Sequence, residues 1–221
     1  MDICILNYIK PNNQDLYNKI IEIVKTIENF AQCEIYIYGG FIRNIIDNYY
    51  SNNNLTPTDI DLWFNFGEII NISYNYWKEK IEILLIQLRR VYQVENNYIF
   101  FDARDTRDRY GLCKIKINGI IFDFCTKINN ENRFDVLCDY TVNNLYIKTN
   151  GELYTRINTL FTLNEIINHI ESKKLISIIN QYLINSYIEL DKHNNNYYHG
   201  YYYDLLEKRK KKMIEFGYDY K

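Results

Sequence analysis

A pair of adjacent glycines between a strand-like run and a helix-like run most restricts the fold of this chain. Residues 34–40 read EIYIYGG, a β-branched and aromatic run typical of a short strand, and FIRNIIDNYY at 41–50 then follows a helical period. The chain contains only eight glycines, and Gly39 and Gly40 stand together here. Because glycine allows close backbone approach, this order predicts a tight strand-to-helix turn whose backbone N–H groups can bind an anion.

Two aspartates one residue apart form the second feature. In TDIDLWF (58–64), polar and apolar residues alternate, which predicts a strand with Asp59 and Asp61 on one face and Ile60 and Leu62 in the core. Like charges at about 4 Å repel by about 1 kcal/mol in water and about 4 kcal/mol at an effective dielectric of 20. The pair therefore predicts a bound cation, and all-oxygen ligands favour Mg²⁺ or Mn²⁺.

A third carboxylate is required to hold two ions for phosphoryl transfer, and Asp123 is the candidate. It lies within GIIFDFCT, on the second strand of a hairpin that Asn118-Gly119 predicts. Asp123 can join Asp59 and Asp61 only if the two strands are adjacent and in register. The apolar Phe122 and Phe124 are expected on the opposite face.

The ordered set Gly39-Gly40, Asp59-Ile60-Asp61 and Asp123 resembles the signature of the DNA polymerase β nucleotidyltransferase superfamily. Within it, GGFIRN and CDYTVNNLYI (138–147) resemble two motifs of tRNA CCA-adding enzymes and bacterial poly(A) polymerases. The resemblance covers about residues 35–150. It implies that the three aspartates are catalytic and bind two Mg²⁺ or Mn²⁺ ions, and that the nucleoside triphosphate (NTP) is bound by Gly39, Gly40, Arg43, Asp139 and Asn143.

The sequence departs from that family pattern at several positions. Asn44 stands where the family has an aspartate, and Leu137-Cys138 replace its paired arginines. The longer gap between glycines and aspartates is assigned to SNNNLTP (51–57), expected to be a surface loop. Because the base-reading neck motif and the tRNA-gripping body are also missing, CCA addition itself is not expected.

The expected fold is α+β: a polymerase β-like head over residues 1–155, with a small mixed sheet flanked by helices, and a helical segment over 156–221 packed on it. Apolar spacing predicts helices at about 14–30, 41–50 and 74–90, and later at 162–170, 172–190 and 201–217, the last closing at Gly217. Thr162 and Glu165 have capping-box spacing. Strands are predicted at 91–101 and 114–124, with an arginine-rich loop at 102–111 between them.

Composition restricts the partners. The net charge of −2 argues against non-specific coating of nucleic acid, and no apolar run approaches the roughly 20 residues that cross a bilayer. The first residues lack a basic signal-peptide region, so a cytoplasmic location is expected. Five scattered cysteines fit free thiols better than disulfides or zinc ligands.

Several alternatives stay open. The acceptor hydroxyl could belong to an RNA 3′ end, a small molecule or a protein, or the chain could be a non-catalytic nucleotide-binding or interaction module. Asp139 and Asn143 could simply hydrogen-bond the backbone. The basic residues outside the motifs are read as solvated or self-paired, with acceptor binding as the alternative: Arg104, Arg107, Arg109 and Lys208–Lys212. Oligomeric state and the choice of NTP are not indicated.

Overall fold

The computed structural model describes residues 3–51, 55–67, 72–104, 109–128, 140–156, 161–178 and 199–220, which form an α+β fold. Within these residues, the helices are α1 Gln14–Ala31, α2 Gly40–Tyr50, α3 Tyr74–Leu88, α4 Leu163–Glu171 and α5 His199–Glu215. The strands are β1 Glu34–Tyr38, β2 Ile60–Asn65, β3 Ile99–Arg104, β4 Arg109–Ile117, β5 Ile120–Ile128, β6 Leu145–Ile147, β7 Leu153–Thr155, β8 Lys174–Leu175 and β9 Asp219–Tyr220. Short 3-10 helices occupy Ile5–Tyr8, Pro11–Asn13 and Thr141–Asn143.

Seven strands form one mixed sheet in the order β3-β4-β5-β2-β1-β6-β7. Neighbouring strands in this sheet are antiparallel except β2 and β5, which run parallel at its centre. A separate two-stranded sheet joins β8 to β9. The predicted small mixed sheet flanked by helices is therefore confirmed.

The larger of two buried hydrophobic clusters among the described residues lies on one face of the seven-stranded sheet. Alternate residues of β1, β2 and β5 point into it, and Ile37, Leu62 and Phe122 are fully buried. Helices α1, α2 and α3 pack against the sheet, and α3 places Trp77 against β4. A Cβ on Gly111 would lie 2.2 Å from the Trp77 ring, so only glycine fits at this contact.

Three local features, a turn, a helix start and a helix end, were predicted correctly. Asn118 (φ 49°) and Gly119 (φ 82°) form the two-residue turn between β4 and β5, as the Asn-Gly pair indicated. The predicted capping box is present, with Thr162 and Glu165 bonding each other's backbone at the start of α4. The last helix ends before Gly217, which has φ 85°.

The prediction of a strand over 91–101 was wrong for most of that range, because β3 begins only at Ile99. The preceding segment wraps around the β4–β5 turn instead. Asn118 donates from its backbone N–H to the carbonyl of Gln93 at 2.8 Å, and its side chain accepts from Gln93 N–H at 2.9 Å. Val94 forms an isolated antiparallel bridge with Ile117 at the end of β4, and the Glu95 N–H donates to the Lys116 carbonyl at 3.0 Å, so this segment contacts the strand without extending into one of its own.

Two other element predictions need correction. The predicted loop at 102–111 is strand at both ends, because β3 extends to Arg104 and β4 begins at Arg109; Arg107 lies outside the described residues. The helix predicted over 172–190 does not start as expected. Lys173 has φ 55°, and Lys174–Leu175 form β8, whose partner β9 lies 45 residues further along the chain. Residues 179–190 are outside the described part.

A buried carboxylate joins α2 to the C-terminal elements. Asp47 is 1% exposed, and both its oxygens accept from Lys173 Nζ at 2.5 Å. Tyr218 donates its hydroxyl to Asp47 Oδ2 at 3.0 Å. We call Asp47, Lys173 and Tyr218 the C-terminal latch. Among the described residues, no helix is both long and apolar enough to cross a bilayer.

Candidate functional site

Strand register brings two of the three predicted carboxylates side by side. In the parallel pairing of β2 with β5, Asp61 lies opposite Asp123. Asp59 precedes Asp61 by two residues and lies on the same side, while Ile60, Phe122 and Phe124 are fully buried on the opposite face. The sequence-based expectation that Asp123 shares a surface with the Asp59/Asp61 pair is met by this register.

A lysine that the sequence analysis did not single out lies among these acids. Lys114, on β4, is the strand partner of Asp123. Its Nζ is 3.1 Å from Asp123 Oδ2 and 3.6 Å from Asp59 Oδ2. Position 114 was read only as part of a strand. Its signal lay in the hairpin register, because counting back from the Asn118-Gly119 turn pairs residue 114 with residue 123.

Burial and, after it, the neighbouring charges shift the pKa values of the acids. Burial, followed by the charges of Asp59 and Asp123, raises the pKa of Asp61 from 3.8 to about 7, with Arg156 and Arg209 opposing the rise. Burial also raises the pKa of Asp123, although Lys114 opposes it. Burial lowers the pKa of Lys114, but its contacts with both aspartates raise it more. The site therefore favours additional positive charge.

The glycine pair lies directly against this acidic group. Gly39 caps the start of α2. Its φ of 76° is a backbone conformation that residues with a side chain rarely adopt. A Cβ at this position would lie 2.7 Å from Asp61 Oδ2. Gly40 is the first residue of α2, and a Cβ there would lie 3.2 Å from the Arg43 guanidinium. The bend thus brings a helix N-terminus, with its partial positive charge, next to the carboxylates.

Arg43 and Asn143, both predicted to bind nucleotide, contact each other. Arg43 is 5% exposed and donates from one guanidinium nitrogen to Asn143 Oδ1 at 2.5 Å. It also donates to Asn44 Oδ1 at 3.2 and 3.0 Å, and it packs over the Phe216 ring. Asn44, at the position of the family aspartate, therefore holds the arginine. Asp139 lies outside the described residues.

The three carboxylates are a donor set that suits a hard divalent ion. Among the described residues, no cluster of three or more acidic, histidine or cysteine side chains is arranged as a metal centre. The fit is indicated by Asp123 Oδ1, which is buried and has no hydrogen-bond partner within the described part of the chain. Carboxylate oxygens around one point are the ligands Mg²⁺ and Mn²⁺ prefer. Asp59, Asp61 and Asp123 would hold such an ion.

Comparisons with known proteins identify similar solved structures only. No protein-family model and no curated protein matches the chain. A CCA-adding enzyme in complex with CTP is 12% identical, with a TM-score of 0.48, over 86% of this chain and 40% of that one. A tRNA-processing enzyme in an apo form is 17% identical, with a TM-score of 0.47, over 85% and 41%. The Thermotoga maritima CCA-adding enzyme complexed with tRNA_CCA is 12% identical, with a TM-score of 0.47, over 84% and 37%.

The chain thus spans about two fifths of the length of these structures. The likeness is one of backbone arrangement. Function is inferred instead from the residues of the site itself.

Proposed function

We propose that this chain is a metal-dependent nucleotidyltransferase that moves a nucleoside monophosphate from an NTP to an acceptor hydroxyl. The observation that carries the proposal is the in-register pairing of Asp61 with Asp123 beside the Gly39 bend. The aspartates of β2 and β5 provide ligands for cations. The N-terminus of α2 beside them provides N–H donors for phosphate. The ordered resemblance of these motifs to polymerase β-like enzymes points to the same chemistry.

Each predicted residue has a role in this proposal. Asp59, Asp61 and Asp123 hold Mg²⁺ or Mn²⁺, with two ions expected, and Gly39 and Gly40 bind the β- and γ-phosphates through their backbone. Bound ions would neutralise the triphosphate and lower the pKa of the acceptor hydroxyl. Arg43 and Asn143, which contact each other, bind the nucleotide in this proposal together with Asp139.

The reaction exchanges one phosphoester bond for another. The acceptor oxygen bonds to the α-phosphorus, the bond from that phosphorus to the oxygen bridging the β-phosphate breaks, and the hydroxyl proton is released. Pyrophosphate leaves with the electron pair of the broken bond. This residue set does little covalent chemistry, so catalysis would come from positioning and charge.

The proposed acceptor is an RNA 3′ end, which the CCA/poly(A)-like motifs favour. A small-molecule or protein hydroxyl is the alternative, because the chain carries a net charge of −2. The salt dependence of acceptor binding distinguishes an RNA acceptor from a small-molecule acceptor. Affinity for RNA should fall along a log–log slope that scales with phosphate contacts, whereas a small acceptor should respond weakly. A cytoplasmic location is part of the proposal.

The test is transfer of label from α-³²P-NTPs, each supplied separately with Mg²⁺ and candidate RNAs. The wild type should label an acceptor, and the double variant Asp59→Asn/Asp61→Asn should lose at least about a thousandfold of that rate. Asp15→Asn, which removes an exposed α1 carboxylate, is the matched control and should stay active. Labelling that persists in the double variant, or that never occurs with any acceptor, would contradict the proposal. Nucleotide binding without transfer would indicate the non-catalytic module.

A further inference from the structure

Lys114 occupies a position unlike that of an ordinary surface lysine. Its ammonium contacts two carboxylates at once, Asp123 at 3.1 Å and Asp59 at 3.6 Å, and both are proposed metal ligands. Strand order places Lys114 beside the acids, because β4, β5 and β2 are neighbours and their residues Lys114, Asp123 and Asp61 lie in one row. The lysine therefore lies where a cation shared by Asp59 and Asp123 would bind.

The neighbouring lysine on the same face of β4 provides a comparison. Lys116 pairs with one carboxylate, Glu95, at 2.7 Å, and its side chain is exposed to a similar extent, 41% against 47% for Lys114. A single exposed pair of this kind contributes little to stability. Lys114 differs because it bridges two acids, one of which keeps a buried oxygen, Asp123 Oδ1, without a partner in the described part of the chain.

We propose that Lys114 is a resident cation of the acidic site and sets its metal affinity. Its ammonium occupies the position between Asp59 and Asp123, and a divalent ion can bind there only by displacing it. This inference rests on the proposed function, since it takes the three aspartates as metal ligands. A four-carbon flexible stem and partial exposure allow the ammonium to swing out without moving the strand.

Competition follows from simple electrostatics. An ammonium and a divalent ion cannot both lie within about 4 Å of the same two carboxylates without strong repulsion. Only sites from which the lysine ammonium has moved away can bind the ion. The apparent affinity therefore equals the intrinsic affinity multiplied by the fraction of such sites. Metal loading thus requires more ion than the three carboxylates alone would need.

The experiment measures Mn²⁺ binding by electron paramagnetic resonance, without nucleotide, for wild type, Lys114→Met, Lys114→Arg and Lys116→Met. Lys114→Met should bind Mn²⁺ at least about tenfold more tightly than wild type. Lys116→Met removes the same charge two residues away and should stay within about twofold of wild type. Lys114→Arg keeps the competing cation and should bind nearly as weakly as wild type.

A second readout follows the lysine directly. In ¹⁵N-lysine-labelled protein, diamagnetic Mg²⁺ should shift the Lys114 Nζ resonance, identified by its loss in Lys114→Arg, and leave that of Lys116 in place. Equal Mn²⁺ affinity in wild type and Lys114→Met, with binding abolished in Asp59→Asn/Asp61→Asn, would overturn the role of Lys114 alone. Absence of Mn²⁺ binding in every variant, including Lys114→Met, would overturn the metal site and the proposed function with it.

Discussion

Asp61 is the residue on which the local charges converge. Asp59 precedes it on the same face, Asp123 lies opposite it on β5, and the Gly39 backbone packs against its carboxylate. The charges of Arg156 and Arg209 oppose the rise in its pKa, which brings residues from the C-terminal third into the electrostatics of the site. A carboxylate with this environment is destabilising when ionised unless a cation accompanies it.

The pH dependence of stability should report on Asp61. Its folded pKa of about 7 lies above its ordinary value of 3.8, so the folded state binds the proton more tightly. Its contribution to stability is therefore complete below pH 3.8 and declines as the pH rises to about 7. In EDTA, urea unfolding between pH 5 and pH 8 should show a loss on the order of 2 kcal/mol from this group, after allowance for solvent screening.

Asp61→Asn provides the comparison for that measurement. The amide does not titrate, so the variant should lose less stability than wild type between the same two pH values. Parallel curves for the two proteins would show that Asp61 is ionised in the fold at pH 5.

Gly39→Ala tests the bend. The substitution forces a Cβ into a backbone conformation with φ 76° and places it 2.7 Å from Asp61 Oδ2. We expect a loss of about 1–3 kcal/mol in the free energy of unfolding and weaker Mn²⁺ binding, because Asp61 must move. Gly67→Ala is the matched control, since Gly67 has φ 66° but a Cβ there would meet nothing within 4 Å. Mn²⁺ binding that falls equally in both variants would contradict a specific contact with Asp61.

At the scale of elements, sequence patterns correctly predicted the features that depend on residues close together in the chain. The strand alternation of β2, the Asn118-Gly119 turn and the capping box of Thr162 each depend on residues a few positions apart, and each was predicted correctly. Pairing between distant segments was not predictable in the same way. The start of β3, the pairing of β8 with β9 and the contact of Arg43 with Asn143 depend on residues brought together only by the complete fold.

The candidate site shows the same division. Sequence order and alternation named Asp59, Asp61 and Asp123, but their meeting required β2 and β5 to be neighbours in register, which no local pattern specifies. Lys114 was missed because its importance comes only from its cross-strand partner. Whether these residues act as ligands and catalysts stays a prediction for the labelling and Mn²⁺-binding experiments.

The C-terminal latch joins α2 to the segment around β8 and β9, and its loss should be severe. Lys173→Met leaves the buried Asp47 carboxylate without its cation and should cost about 3–5 kcal/mol in unfolding free energy. Tyr218→Phe removes one hydrogen bond and should cost about 1 kcal/mol. Denaturant unfolding checks both values.

Lys174→Met is the matched control for the latch, because Lys174 is adjacent but exposed. Its stability should stay within about 0.5 kcal/mol of wild type. Adding Asp47→Asn to Lys173→Met should recover part of the loss, since the unpaired charge is then removed. A cost for Lys173→Met no larger than that for Lys174→Met would show that the latch contributes nothing.

At the scale of the whole molecule, the proposed division at residue 155 separates a head from a helical segment, yet the latch crosses it. A buried ion pair between two segments should make them unfold together rather than one after the other. Hydrogen exchange by mass spectrometry in moderate urea should therefore show α2 and α4 opening with the same free energy. Exchange of α4 at much lower urea than α2 would show that the head is stable by itself.

The latch also has a consequence for biosynthesis. Asp47 is separated from Lys173 by 126 positions and from Tyr218 by 171, while all seven strands of the main sheet lie between Glu34 and Thr155. A ribosome-bound chain that has emerged only through β7 therefore holds every strand of that sheet but has no counter-ion for its buried acid. We expect such stalled chains to be cut readily within α2 by added protease, and to become resistant only once β9 has left the exit tunnel.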